Sequence, residues 1–138
     1  MKIAVVYWSG TGNTEAMAAA VKNGAAKKGA IADLIQCSNF NPSDIQSYDA
    51  IAFGCPAMGA EELEDSEFLP MFSACQASLS GKPIALFGSY GWGDGEWMRN
   101  WEDLCISCGA KLLGSYICNE TPDDSAIAEC ESLGAKLA

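Results

Sequence analysis

Between the first apolar run and the first helical pattern the chain reads Ser9-Gly10-Thr11-Gly12-Asn13-Thr14. Glycines let a backbone approach a ligand closely, Ser, Thr and Asn side chains donate hydrogen bonds, and a helix N-terminus adds free N–H groups. The combination describes a phosphate cradle; an ordinary strand-to-helix turn needs neither two glycines nor four hydroxyl or amide side chains. The Lys-[Ser/Thr] ending of a P-loop is missing, and Glu15 stands where a dinucleotide fingerprint has its third glycine. ATP, GTP and NAD are thereby disfavoured and a mononucleotide phosphate is favoured.

Two further loops carry chemistry. Cys55-Pro56-Ala57-Met58-Gly59-Ala60-Glu61 places a methionine beside glycine, where it can lie against a planar ligand or fold back onto the core. Gly88-Ser89-Tyr90-Gly91-Trp92-Gly93-Asp94-Gly95 sets two large aromatics among four glycines, a poor way to build a core and a good way to present a stacking face. The three loops together describe a pocket with a phosphate end and an apolar, π-stacking end.

The elements that must hold these loops alternate along the chain. Ile3–Trp8 is a nearly continuous apolar run, as in a strand buried on both faces. Asn13–Lys28 has helical spacing through Met17, Val21 and Ala25 and stops at Gly29. Strands are expected over Ala30–Cys37, Asp49–Cys55, Ile84–Gly88 and Lys111–Asn119, and helices over 66–79 and Glu96–Cys108. Asn41-Pro42-Ser43-Asp44 reads as a turn. Thr121 is the expected N-cap of the last helix, with Pro122 at its first position. Five strands alternating with helices predict a doubly wound α/β domain over residues 1–138, its parallel sheet covered on both faces. In such sheets ligands bind beyond the carboxyl ends of the strands, where these three loops fall.

Composition narrows the function. Eighteen acidic residues against eight basic ones, with no histidine, give a net charge of −10. No Lys or Arg occurs between Gly29 and Gly81, where eight acids fall. Nucleic acid and anionic membrane surfaces are disfavoured partners, and basic proteins are favoured. No apolar run approaches the ~18 residues of a membrane span, and a soluble, cytoplasmic protein is expected. The seven cysteines are odd in number and irregularly spaced, which fits free thiols in a reducing compartment. Cys105-Ile106-Ser107-Cys108 is a lone C-x-x-C within a helical pattern, and without histidine or a second pair no metal site is expected.

Ser9–Thr14, Ala57-Met58-Gly59-x-Glu61 and Phe87–Gly95 resemble, in order and spacing, the three FMN-binding loops of short-chain flavodoxins, and the likeness runs over the whole chain. It implies a five-stranded sheet of order 2-1-3-4-5 and a low-potential one-electron carrier, and a small acidic carrier has reason to remain a monomer. Bound FMN would work between a neutral semiquinone and the hydroquinone, and the carrier would serve redox enzymes with basic docking surfaces. By the same resemblance Ser9, Thr11, Gly12, Asn13 and Thr14, with Gly10 in the same loop, hold the FMN phosphate. Met58 and Trp92 sandwich the isoalloxazine ring, and Glu61 bonds its pyrimidine edge. Pro56, Ala57, Ser89, Tyr90, Gly91 and Gly93 line ribityl chain and ring, with Asn119 and Glu120 as neighbours. Glu61, Glu62, Glu64, Asp65, Glu67, Asp94 and Glu96 would surround the site with negative charge. The peptide that flips on reduction in the family falls at Gly59-Ala60; a type II turn over Met58–Glu61 would put Ala60 at positive φ, so that Ala60→Gly would favour the one-electron-reduced state.

Two other functions fit the same fold: an FMN-dependent NAD(P)H:quinone reductase and an activator of ribonucleotide reductase. The first lacks any Lys or Arg in the three loops to receive a nucleotide. A low-molecular-weight tyrosine phosphatase fails because Gly93, six residues before Arg99, stands where its cysteine must be, and a receiver domain fails because Ser9 and Gly10 replace its acidic pair.

Overall fold

The computed structural model describes residues Met1–Ala138. Strands β1 (Lys2–Tyr7), β2 (Ile31–Gln36), β3 (Ala50–Gly54), β4 (Pro83–Tyr90) and β5 (Lys111–Asn119) form one sheet of order β2-β1-β3-β4-β5. Every neighbouring pair is parallel. Helices α1 (Asn13–Lys27), α2 (Phe68–Cys75), α3 (Glu96–Ser107) and α4 (Asp124–Leu137) cover it.

Period-two alternation divides the core between the two faces. Ala4, Val6, Ile51, Phe53, Ile84 and Leu86 pack under α2 and α3 with Phe72 and Trp101. Ile3, Val5, Ala52, Ala85 and Phe87 pack under α1 and α4 with Met17, Val21 and Leu133. Because both faces are covered, the central strands read as unbroken apolar runs. The order reverses between β1 and β3, and open α/β sheets, of which flavodoxins are a standard example, bind ligands beyond the strand ends at such a point.

Several boundaries differ from the sequence-based expectation. Strand β4 continues through Ser89 and Tyr90, which pair with Cys118 and Asn119 of β5. The helix expected over 66–79 is α2 alone, followed by a 3-10 turn at Gln76–Ser78. The expected turn at Asn41–Asp44 opens a 3-10 helix, Pro42–Ser47, through a capping box in which the Asn41 N–H donates to Asp44 Oδ2 at 2.9 Å. Thr121 does not cap α4. Asp123 does, its Oδ1 accepting from the Ala126 N–H at 2.8 Å. A carboxylate at that position both satisfies an orphan amide and meets the positive end of the helix dipole, so it displaces the start by two residues.

Candidate cofactor site

The loops after β1, β3 and β4 converge on a cavity of about 520 Å³ at the carboxyl edge of the sheet. That volume lies within the ~300–1,000 Å³ usual for small-molecule sites. Ser9, Gly10, Thr11, Asn13 and Thr14 line one end. Gly12 turns the chain into α1 at φ 96°, a left-handed value that disfavours any residue with a Cβ. Its N–H donates to Ser9 Oγ at 3.1 Å. Helix α1 starts at this end of the cavity without a side-chain cap, which leaves first-turn amides without a side-chain partner. Below them Thr14 Oγ1 and Ser89 Oγ lie 2.9 Å apart, both buried, and tie the first loop to the end of β4.

The other end is apolar. Pro56, Ala57, Met58, Tyr90, Gly91 and Trp92 line it. Met58 is 37% exposed and Trp92 57%, so neither folds back into the core. Tyr90 is the last residue of β4, half-buried, with its ring 5.5 Å from that of Trp97. Trp92 Nε1 donates to the Gly59 carbonyl at 3.2 Å, joining the loops that carry the two exposed side chains.

Met58 and Glu62 form a tight hairpin, Met58 N–H donating to Glu62 O at 2.7 Å and Glu62 N–H to Met58 O at 2.8 Å. Its left-handed residues are Gly59 (φ 53°) and Glu61 (φ 54°). Ala60 is not among them, so the strain expected there is absent from this conformation. The paired amides of Met58 and Glu62 close a three-residue loop whose twist falls on its first and third members.

Six of the residues named from the sequence, Asn119 among them, stand outside the cavity wall. Gly12 caps α1, and Gly59 and Ala60 occupy the hairpin tip. Glu61 turns toward α3, accepting from the Asp94 N–H at Oε1 and the Trp97 N–H at Oε2, each at 3.3 Å. It thereby serves the N-terminus of a helix whose own N-cap, Gly95, has no side chain. Gly93 is the surface it packs on: a Cβ there would lie 1.9 Å from Glu61 Oε1.

The acidic rim is also smaller than its residue count. Glu64 is buried, accepting from the Ser66, Glu67 and Phe68 N–H groups at 2.9, 2.7 and 2.8 Å and from the Ser66 hydroxyl. Burial raises its pKa, but the Ser66 hydroxyl and the three amides outweigh burial and hold the carboxyl below its usual range. Asp94 is paired with Arg99 at 2.9 Å. Glu67 accepts from Trp8 Nε1 at 3.2 Å. Glu62, Asp65 and Glu96 remain without a cation.

Three lining residues were not central to the sequence assignment: Trp8, Glu120 and Thr121. Trp8 completes an apolar run, yet β1 ends at Tyr7, which leaves the indole in the loop. Glu120 takes φ 56°, and its N–H donates to the Tyr90 carbonyl at 2.8 Å. All seven cysteines are free, and Cys108 Sγ donates to the Cys105 carbonyl at 3.2 Å.

Comparison with known proteins matches this arrangement to one family. Residues 5–134 fit the family model described as flavodoxin. A flavodoxin of Megasphaera elsdenii is 46% identical over 136 residues, covering 99% of this chain and 98% of the relative. One from Clostridium beijerinckii is 41% identical over 134 residues, covering 97% of each. The solution structure of two-electron reduced Megasphaera elsdenii flavodoxin superposes with a TM-score of 0.92 over 98% of this chain and 97% of that one. A flavodoxin from the domain Archaea, 30% identical, gives 0.86 over 100% and 96%. With the sheet order, the three converging loops and these full-length likenesses in agreement, the chain belongs to the flavodoxin family.

Proposed function

We propose that this FMN-binding electron carrier seats its cofactor in the 520 Å³ cavity, phosphate against Ser9–Thr14 and the α1 N-terminus, isoalloxazine between Met58 and Trp92. The observation that carries the assignment is the meeting, in one cavity, of an uncapped helix start ringed by hydroxyl and amide donors with two exposed, polarisable side chains. Bound FMN supplies the redox chemistry, accepting and releasing electrons one at a time. The chain's part is to bind, orient and tune. Neutral donors hold the phosphate without cancelling its charge, and no Lys or Arg lines the cavity. Met58 and Trp92 exclude water from the ring faces, and Glu62, Asp65 and Glu96 add uncompensated negative charge nearby. Each of these opposes further negative charge on the ring, which places the final reduction at low potential.

The same charges favour transient docking of redox enzymes through basic surfaces, with the carrier itself a monomer. The chain is not a stand-alone enzyme, and the quinone-reductase alternative is not favoured. No helix is long and apolar enough to cross a membrane, and seven free thiols suit a reducing cytoplasm. Anaerobic dithionite titration of the FMN-loaded protein tests the reading. Two resolved one-electron steps, with a long-wavelength absorbance band that grows and then vanishes, are expected. Bleaching in a single step, or failure to bind FMN, would overturn it.

A further inference from the structure

The Trp8 indole stands as a partition between two openings. On one side it lines the 520 Å³ cavity beside Ser9, Gly10 and Thr11. With Ser9 it also lines a polar cleft of about 170 Å³ that Glu15 and Glu67 border and that has no Lys or Arg in its wall. The ring packs onto the phosphate loop: a Cβ at Gly10 would come within 3.0 Å of Trp8 Cη2. Its Nε1 donates to Glu67 Oε1 at 3.2 Å, a bond spanning 59 residues to the segment that enters α2. Glu15 is held on the same far side, accepting from the Tyr7 hydroxyl at 3.2 Å. The cleft's negative charge is felt by its neighbours, since burial first, then Glu67 and Glu64, push the Cys37 thiol up to about 11.

We propose that Trp8 is a specificity-determining positioning residue for the cofactor phosphate, acting as spacer and tether that keep the Glu15 and Glu67 carboxylates out of the phosphate cradle. The inference rests on the reading that FMN occupies the cavity. Its logic is electrostatic. A phosphate monoester is close to a dianion at neutral pH, and the cradle offers only neutral donors and a helix end. Such a site tolerates no carboxylate at contact distance, because like charges that close disfavour the bound state. The indole supplies the volume that prevents the approach, and its N–H fixes the nearer carboxylate on the far side. Truncation at Trp8 would join the two openings and release Glu67 at once.

The test compares FMN with riboflavin, which shares the ring system and lacks the phosphate, in fluorescence-quenching titrations of apoprotein. Trp8→Ala is expected to weaken FMN binding by about tenfold or more and riboflavin by less than about threefold, with the FMN loss shrinking as salt rises. Glu67→Gln alone, whose amide oxygen still accepts from Trp8, is expected to change FMN affinity by less than about twofold; in the Trp8→Ala background it should recover about threefold or more. Trp8→Phe, which keeps the spacer and loses the tether, should fall between wild type and Trp8→Ala. Equal losses for the two ligands, or additive effects of Trp8→Ala and Glu67→Gln on FMN, would reduce Trp8 to packing and overturn the proposal. Wild-type apoprotein that fails to bind FMN would overturn the cavity assignment itself, and this inference with it.

Discussion

Glu61 holds a conformation that costs a non-glycine residue about 1–2 kcal/mol, and its carboxylate offsets that cost through two charge-assisted bonds at the start of α3. Glu61→Ala should therefore lower stability by about 1–2 kcal/mol in urea unfolding, while Glu61→Gln retains most of it. Glu64 does the same work for α2, and its depressed pKa sets a pH signature. A carboxyl whose folded pKa lies below its unfolded value of 4.5 contributes stability in full above 4.5 and loses it as pH falls through the folded value. The stability gap between wild type and Glu64→Ala, about 1–2 kcal/mol at pH 7, should narrow progressively below pH 4.5. The thiols give a further residue-scale test. Burial pushes Cys37 and Cys75 up to about 11 and Cys105 and Cys130 to about 12, and only Cys108 is not buried. A thiol-reactive disulfide reagent at pH 8 should label Cys108 alone in the native protein and every cysteine in denaturant; rapid labelling of a second thiol in the native state would contradict the packing.

At the scale of elements, the proposed site depends on how α1 is held, because Asn13 and Thr14 at the start of α1 form part of the cavity wall. Helices α1 and α4 cross at two glycines. A Cβ at Gly24 would lie 1.9 Å from the Glu131 carbonyl oxygen, and one at Gly134 would lie 1.9 Å from that of Val21. Gly134→Ala must push backbone against backbone and should cost about 1–3 kcal/mol, seen as a lower thermal midpoint with weaker FMN binding. The start of α4 gives a cleaner contrast. Asp123→Ala removes the cap and should cost about 1 kcal/mol, whereas Thr121→Ala should leave the apoprotein's thermal midpoint unchanged.

For the molecule as a whole, the net charge of −10 matters less than its placement. Two ion pairs consume little of it, and the stretch from Gly29 to Gly81 carries no cation. Charge of one sign around a cofactor accelerates encounter with a basic partner and does so less as salt screens it. Electron transfer to a basic cytochrome used as probe should slow as ionic strength rises, and Glu62→Gln with Asp65→Asn should flatten that dependence. A rate indifferent to salt would remove the electrostatic account of docking.

Much of this protein was legible before any tertiary contact was known. The apolar runs at Ile3–Val6, Ile51–Phe53 and Ile84–Phe87 announce strands buried on both faces. The glycine and hydroxyl content of the loops after β1, β3 and β4 points to the cavity they line, since backbone approach and hydrogen-bond donation are properties of residue type. By itself the sequence determined element identity, sheet class and the three loops. Fate within those loops was decided only by folding. Glu61 and Glu64 look like rim charges in a list and turn inward in the structure, because each meets a helix start that lacks its own cap. Trp8 looks like a strand residue and becomes a wall. The bonds responsible join Glu61 to Asp94, Trp8 to Glu67 and Thr14 to Ser89, spans of 33, 59 and 75 residues. Local pattern decides what a segment can be; only tertiary structure, by bringing distant donors and acceptors together, decides which charges remain free for a cofactor or a partner.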